Sequence, residues 1–167
     1  KPYRFNWQTP ILLSSHNQDI LYMGSEFLHR SMNQGETWER ISGDLTNGAK
    51  EGTIAFGTLT TISESKFQFG LLYVGSDDGK IHVSKDGGAS WQLISGNLPQ
   101  NLWVSRVAAS THKKERVYAT LNGYRNDNFE SYAFVSEDFG ATWNPISNGL
   151  TEAVNVIVED SANENIL

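Results

Sequence analysis

The sequence has no cysteine and only four prolines among its 167 residues. The missing thiols exclude disulfide bonds, thiolate metal ligands and cysteine-based catalysis. Because proline is scarce and glycine is frequent, at 15 residues, we expect turns built mainly by glycine, asparagine and aspartate. No apolar run approaches the roughly 20 residues of a membrane-spanning helix, so no membrane insertion is expected.

Positive charge is also in short supply. Lysine and arginine together number 13 against 19 aspartates and glutamates, which gives a net charge of −6. Nucleic-acid-binding domains favour basic surfaces, so no nucleic-acid partner is expected. The chain begins with Lys1 rather than methionine and shows no signal peptide, so we expect its native N-terminus to be missing. Aromatic residues, in contrast, make up 11% of the chain, which suits β-structure.

An eight-residue motif occurs three times along the chain. The segments 31–38, 84–91 and 136–143 share the pattern Ser-x-Asp-x-Gly-x-Thr/Ser-Trp, with Asn33 at the aspartate position of the first copy. Successive copies are 53 and 52 residues apart. Self-similarity at a fixed period of this length is typical of repeat architectures.

Each repeat contains four short β-type runs separated by turn residues. In the second repeat the runs are roughly 58–63, 71–75, 80–84 and 91–94. Four strands in each repeat predict an all-β fold made of four-stranded antiparallel β-propeller blades. A β-sandwich is the alternative, but it does not explain the regular return of one motif. We expect complete blades at about 8–45, 57–98 and 103–150, and the start of a fourth at about 153–167.

The motif residues suit a self-contained turn. An aspartate can accept hydrogen bonds from nearby backbone N–H groups, glycine permits positive φ, and tryptophan brings apolar area to the gap between blades. The alternative is a catalytic or metal-binding carboxylate, but asparagine in the first copy could replace only the hydrogen bonding. We therefore predict hairpins between third and fourth strands, largely buried tryptophans, and a structural function for these residues: Asn33, Gly35, Trp38, Asp86, Gly88, Trp91, Asp138, Gly140 and Trp143.

The motif is the Asp-box, and through it the sequence resembles the BNR (bacterial neuraminidase) repeat proteins. The resemblance is strongest to bacterial BNR-repeat glycosyl hydrolases and sortilin-like (Vps10-type) proteins, and it includes the segments 4–11, 25–31, 57–62, 103–107 and 125–129. It implies a fragment of a larger β-propeller that is secreted or periplasmic. We do not find the sialidase set of three arginines, a Tyr–Glu pair and an aspartate, so enzyme activity stays open and the fragment alone is expected to be inactive.

Family geometry also implies a ligand-binding face. Loops from the fourth strand to the next blade and from the second strand to the third share this face, and two of them look enlarged, at 43–57 and 121–132. The alternative for Arg125 and Asp127 is that they only pair with each other to brace their loop. The candidate ligand-contacting residues are Asp44, Glu51, Trp103, Arg106, Tyr124, Arg125 and Asp127.

Two functions remain open at this point. The first is a binding or scaffold module for a carbohydrate or peptide. The second is part of a sialidase- or xyloglucanase-like glycoside hydrolase whose catalytic residues lie partly outside this sequence, because hydrolysis needs two carboxylates about 5–10 Å apart and no spacing here pairs them. No cofactor or metal is expected: the histidines lack metal-ligand spacing, and Asp77 and Asp78 suit a hairpin turn better than a calcium site.

The repeat count also predicts an association. A closed propeller normally has at least four blades, so three complete repeats would leave the terminal sheets open. Open edges and apolar faces favour pairing with another chain. We therefore expect a homo-oligomer that forms through the exposed terminal blades.

Overall fold

The computed structural model describes residues 2–51 and 56–167, which form three four-stranded antiparallel sheets. The first sheet contains β1 (Ile11–Leu13), β2 (Leu21–Gly24), β3 (Leu28–Ser31) and β4 (Glu39–Arg40). The second contains β5 (Leu59–Glu64), β6 (Leu72–Ser76), β7 (Ile81–Ser84) and β8 (Gln92–Leu93). The third contains β9 (Trp103–Ala109), β10 (Val117–Gly123), β11 (Asn128–Ser136) and β12 (Asn144–Pro145), with a short 3-10 helix at Tyr124–Asn126.

Strands that are consecutive in the sequence are neighbours in every sheet. This order, repeated three times, confirms the predicted all-β fold of propeller-type blades. The strands predicted for the second repeat lie within one or two residues of β5 to β8. In the part of the chain that the structure describes, no helix has the length and apolar character needed to cross a membrane.

The residues after the third sheet form no strand in the described structure. Where the start of a fourth blade was predicted, residues 154–159 have no regular secondary structure, and hydrogen bonds from Ser105 and Ser110 hold them beside the third sheet. Ser105 Oγ donates to the carbonyl oxygen of Val154 at 3.0 Å. Val156 and Val158 remain 54% and 67% exposed. On the first sheet, β1 exposes apolar side chains too, but the expected homo-oligomer stays a prediction.

The core lies in two layers, one on each side of the second sheet. All five residues of β6 are buried, and their side chains alternate between the two layers. Leu72 and Val74 pack towards the first sheet with Leu28 and Leu59. Tyr73 packs on the opposite side, towards the third sheet. The second sheet is therefore covered on both faces, which is the packing expected of a middle blade.

Buried glutamates join each of two sheets to the segment that follows it. Tyr22 Oη, on β2, donates to Glu64 Oε1 on β5 at 3.0 Å. In the same way, Tyr118 Oη on β10 donates to Glu159 Oε1 in the last segment at 2.9 Å. A serine adds a second hydrogen bond to each carboxylate: Ser14 to Glu64 at 2.6 Å and Ser110 to Glu159 at 2.8 Å. We call these two arrangements the tyrosine–glutamate locks.

The junction between the second and third sheets lacks this lock. On β5, Glu64 pairs with Leu72, the residue directly before Tyr73. On β9, Ala109 pairs with Val117, the residue directly before Tyr118, so an alanine takes the position of the glutamate. The hydroxyl of Tyr73 is buried here and has no hydrogen-bond partner among the described residues. This junction therefore has no tyrosine–glutamate lock, and its hydrogen bonds involve backbone groups instead: Thr61 Oγ1 accepts from the backbone N–H of Val107 at 3.2 Å, and Ser63 Oγ accepts from that of Ala109 at 3.0 Å.

Each Asp-box lies in the hairpin between the third and fourth strands and closes through its own side chains. Asp86 Oδ1 accepts hydrogen bonds from Ser84 Oγ at 2.8 Å and from the backbone N–H of Ser90 at 2.9 Å. Hydrogen bonds from Ser90 and Ser84 lower the pKa of Asp86 to about 2, and those from Thr142 and Ser136 do the same for Asp138. In the first copy, Asn33 Oδ1 accepts the equivalent hydrogen bonds.

The Asp-box tryptophans of the second and third sheets connect each sheet to the one before it. Trp91 Nε1 donates to the carbonyl oxygen of Ile41 at 3.0 Å, and Trp143 Nε1 donates to that of Ile94 at 2.7 Å. Both side chains are half-buried, less than the sequence analysis predicted. Each indole therefore reaches the preceding sheet while part of its surface stays exposed.

Trp38 differs from the other two and is 39% exposed, so the prediction that it would be largely buried is wrong. Its Nε1 donates to the carbonyl oxygen of Gly35 in its own hairpin at 3.0 Å. The described residues place no sheet before the first one, so this indole has no neighbouring isoleucine carbonyl to reach.

The three equivalent tyrosines provide a matched test of the locks. Tyr22→Phe and Tyr118→Phe should each lower the free energy of unfolding by about 1.5–3 kcal/mol, the range for a hydrogen bond to a charged group. Tyr73→Phe should leave it unchanged or raise it, since its hydroxyl is buried without a partner. Urea denaturation followed by circular dichroism measures all three variants. Equal losses at the three positions would contradict the assignment.

The tryptophans allow a similar comparison. Trp91→Ala and Trp143→Ala should lower the free energy of unfolding towards the lower end of the about 3–5 kcal/mol typical of buried tryptophan, because both are only half-buried. Trp38→Ala should have the smallest effect, since this indole is 39% exposed and its hydrogen bond stays within its own hairpin. Denaturant unfolding of the three variants decides the order, and a loss at Trp38 as large as at Trp91 would be inconsistent with it.

Acid should weaken the Asp-box hairpins. The pKa values of Asp86 and Asp138 are lowered in the folded state, so their contribution is complete above pH 4 and is lost as the pH falls towards 2. The double variant Asp86→Asn and Asp138→Asn should lose less stability between pH 4 and pH 2 than the unaltered protein, because asparagine does not titrate. Urea midpoints at a series of pH values measure this difference. Identical acid dependence in the two proteins would refute it.

Candidate functional site

Two adjoining cavities open at the end of the sheets that lies opposite the Asp-box hairpins. The first has a volume of about 360 Å³ and is lined by Gln8, Trp103, Ser105, Arg106, Asn122, Tyr124, Arg125 and Asn155. The second has a volume of about 250 Å³, and its described lining residues are Lys50, Phe56, Asp77, Asn101, Trp103, Asn122, Arg125 and Asn126. Loops from fourth strands and second-to-third hairpins meet in the second cavity, as the sequence analysis expected for one face.

Arg125 lies between two aromatic rings at the boundary of the cavities. Its guanidinium is 4.0 Å from the ring centroid of Trp103 and 4.7 Å from that of Tyr124. Cation–π contacts of this kind hold a guanidinium in place and leave its N–H groups free to donate. No ion pair joins Arg125 and Asp127 among the described residues, so the bracing alternative has no support.

Asn122 lines both cavities and is 95% buried, with an exposed fraction of 5%. Its Nδ2 donates to Asn155 Oδ1 at 2.7 Å. Its Oδ1 has no hydrogen-bond partner among the described residues. A buried acceptor without a donor costs about 1–3 kcal/mol, so the unpaired Asn122 Oδ1 calls for an explanation, and its place between two cavities makes a bound ligand one candidate.

Positive charge is concentrated around the cavities even though the whole chain is acidic. Lys50, Arg106 and Arg125 line them, and neither arginine has an ion-pair partner in residues 2–51 and 56–167. Asp77 is the one carboxylate among the described lining residues, and burial raises its pKa. Its oxygens already accept hydrogen bonds from Gly57 N at 3.0 Å, Thr58 N at 3.2 Å and Thr58 Oγ1 at 2.9 Å. The arrangement favours an anionic ligand.

Four of the seven predicted ligand-contacting residues lie together in the first cavity. They are Trp103, Arg106, Tyr124 and Arg125. The sequence analysis did not single out Asn122 or Asn155. Asn155 could have been noticed in the sequence, because it is a polar residue between two valines in the run 154–156.

The three predicted acidic residues do not line either cavity among the described residues. Asp44 Oδ2 accepts a hydrogen bond from Arg4 at 2.8 Å. Burial by itself would raise the pKa of Asp44. The hydrogen bonds from Arg4 and Thr46 outweigh this effect, so the pKa of Asp44 is lowered below its ordinary value. Asp127 ends the 3-10 helix in a left-handed conformation, with φ of 54°. Glu51 is exposed and borders residues 52–55, which lie outside the described residues.

The predicted enlarged loop at 121–132 is mostly strand. β10 continues to Gly123 and β11 begins at Asn128, where the two residues pair, so the turn covers only 124–127. This prediction was wrong because polar residues in the outer part of a long hairpin resemble a loop. The predicted loop at 43–57 includes residues 52–55, outside the described part, and its remainder is held by Lys80 Nζ donating to the carbonyl oxygen of Thr46 at 3.0 Å.

The two adjacent aspartates considered for calcium are engaged within the protein. Asp78 Oδ1 accepts from Ser76 Oγ at 2.6 Å, and Asp78 Oδ2 accepts from the backbone N–H of Asn47 at 2.7 Å. Asp77 holds residues 57 and 58 as described above. Across the described ranges, no group of three or more histidines and carboxylates is arranged to hold a metal ion.

A larger cavity, of about 500 Å³, lies at the Asp-box end between the first and second sheets. Its charged groups are already paired. Arg30 binds Glu39 at 2.6 Å and the carbonyl oxygen of Gly87 at 3.1 Å, and Asp86 closes its own hairpin. The two smaller cavities, with unpaired cations and a free buried acceptor, are the better candidate for function.

Solved structures with a similar fold include a GH74 enzyme and YCF48. An ancestral GH74 enzyme matches 85% of this chain with a TM-score of 0.65 and 19% identity. YCF48 from Cyanidioschyzon merolae matches 83% with a TM-score of 0.57 and 17% identity, and YCF48 bound to D1 peptide matches 86% with a TM-score of 0.52 and 15% identity. The chain spans 18%, 37% and 42% of these structures, respectively, and such identities show the fold alone. The search of curated proteins found no match.

A family match covers most of the chain. The sequence model described as sortilin, neurotensin receptor 3, matches residues 26–166. The matched region begins in the turn between β2 and β3. It includes the second and third sheets, Arg106 and Arg125 of the cavities, and residues 154–159. The resemblance to sortilin-like proteins that the Asp-boxes indicated is confirmed: the chain belongs to the Sortilin-Vps10 family.

Proposed function

We propose that the two cavities form one binding site and that its ligand is a peptide with acidic side chains. The observation that carries this proposal is the cluster of Lys50, Arg106 and Arg125, whose charges no carboxylate neutralises among the described residues. Arginine binds carboxylates through short, charge-assisted and often paired hydrogen bonds.

The remaining lining residues suit a peptide backbone. Side-chain amides offer both donors and acceptors, and the aromatic rings of Trp103 and Tyr124 give apolar area beside them. A solved relative, YCF48, is bound to D1 peptide, which supports a peptide as the ligand of this type of fold. The expected secreted or periplasmic location rests on the family resemblance and stays a prediction.

Glycoside hydrolysis is the alternative, and one observation favours it. Asp77 borders a cavity and has a raised pKa, as a general acid would. However, hydrolysis requires a second carboxylate about 5–10 Å away across the sugar. The described lining residues contain no other carboxylate, and Asp77 already holds the loop beside it. The geometry therefore favours binding.

The proposal can be tested with two synthetic peptides. The first is acetyl-Gly-Glu-Ala-Glu-Gly-amide, and the second has glutamine in place of both glutamates. Isothermal titration calorimetry should give a Kd at least about tenfold lower for the acidic peptide, which corresponds to about 1.4 kcal/mol. Arg106→Gln and Arg125→Gln should each reduce this preference, since each removes a cation that a carboxylate would meet.

Arg40→Gln is the matched control. Arg40 is an exposed arginine on β4 that stacks on Phe27 and lines neither cavity, so its removal should leave both Kd values unchanged. Equal affinity for the two peptides would refute the proposal. Turnover of a chromogenic glycoside that Asp77→Asn abolishes would instead establish the hydrolase alternative.

A further inference from the structure

The two cavities adjoin along a wall made by three residues. Trp103, Asn122 and Arg125 line both, while the other described lining residues belong to one cavity each. Trp103 and Asn122 are partners in the ladder between β9 and β10, so the wall is part of the sheet. A ligand long enough to enter both cavities must cross this wall.

One residue of the wall, Asn122, carries a buried acceptor. Asn122 donates through Nδ2 to Asn155 Oδ1, which leaves Asn122 Oδ1 as the atom without a partner among the described residues. With 5% of the residue exposed, solvent has little access to this oxygen. A ligand that donates a hydrogen bond at the wall would remove the penalty of an unpaired buried acceptor.

Each cavity also has a cation of its own on its side of the wall. Arg106 lines the first cavity and Lys50 the second, and Arg125 is shared. A ligand with a single carboxylate would engage one side only. A ligand with two carboxylates has one for the cation on each side of the wall.

Resting on the proposed function, we infer that the ligand is one extended peptide segment that spans both cavities. Its two acidic side chains lie two residues apart, so that they project from the same side of the extended chain. One enters each cavity, and a backbone N–H between them donates to Asn122 Oδ1. Asn122 is thus the residue that selects a peptide backbone over two separate anions.

Ester analogues of the acidic peptide test the hydrogen bond on the unaltered protein. Two analogues replace one backbone N–H each by oxygen, at the alanine or at the second glutamate. One of them should bind about tenfold more weakly than the amide peptide, as expected for loss of one hydrogen bond. A third analogue, with the ester at the final glycine outside the acidic pair, is the matched control and should bind like the amide peptide.

Asn122→Leu completes a double-mutant cycle. If Asn122 Oδ1 accepts the peptide N–H, the ester that weakens binding to the unaltered protein should bind this variant like the amide peptide. An ester penalty that persists in a folded Asn122→Leu protein would overturn the assignment of Asn122. If the variant does not fold, the three ester analogues still test the hydrogen bond on the unaltered protein, and the absence of a penalty at both positions inside the acidic pair would overturn it.

Peptides with a single glutamate test the spanning arrangement. Each should bind at least about tenfold more weakly than the peptide with two. Arg106→Gln should abolish sensitivity to one of the two glutamates and Lys50→Met sensitivity to the other. Single-acid peptides that bind as tightly as the double-acid peptide would overturn the spanning inference.

The outcomes separate the two proposals. If the acidic peptide binds better than its glutamine counterpart but no ester analogue weakens binding, the inference about Asn122 is wrong and the proposed function stands. If the acidic and glutamine peptides bind equally or not at all, the proposed function fails, and the inference that rests on it fails too.

Discussion

Buried glutamates that bind the preceding sheet are the interaction on which much of this structure depends. Glu64 receives hydrogen bonds from Tyr22 and Ser14 of the first sheet, and Glu159 receives them from Tyr118 and Ser110 of the third. Burial by itself would raise the pKa of Glu159. The hydrogen bonds from Thr111 and Ser110 outweigh this effect and lower the pKa to about 2. A buried carboxylate is tolerated only when such donors surround it, so each lock also determines how neighbouring segments must align.

The candidate site depends on the second tyrosine–glutamate lock, formed by Tyr118 and Glu159. Residues 154–159 have no strand ladder of their own in the described structure, and Glu159 anchors one end of them to the third sheet. This places Asn155 beside Asn122, where the two side chains bind each other in the first cavity. The packing of residues 154–159 therefore supplies the partner of Asn122 Nδ2, while the pairing of β9 with β10 places Asn122 beside Trp103.

The charge distribution separates structural carboxylates from the site. Asp86, Asp138 and Asp78 close hairpins, Asp44 binds Arg4, and Glu64 and Glu159 join sheets. Because these acidic groups have donors elsewhere, the arginines at the cavities are left without acidic partners among the described residues. A chain with a net charge of −6 thus presents a local positive site, which is the basis for expecting an anionic ligand.

The sequence by itself determined the repeat, because strand alternation and the Asp-box depend on residues close together in the chain. Asp86 and Ser90 are four residues apart, so the hairpin they close could be predicted along with the strands around it. It also indicated Trp103, Arg106, Tyr124 and Arg125 as a group. Only the tertiary structure decided that Asp44 turns to Arg4, 40 residues away, and that Asn122 meets Asn155, 33 residues away. It decided as well that Trp38 stays exposed, because indole burial depends on a neighbouring sheet and not on the motif that carries the indole.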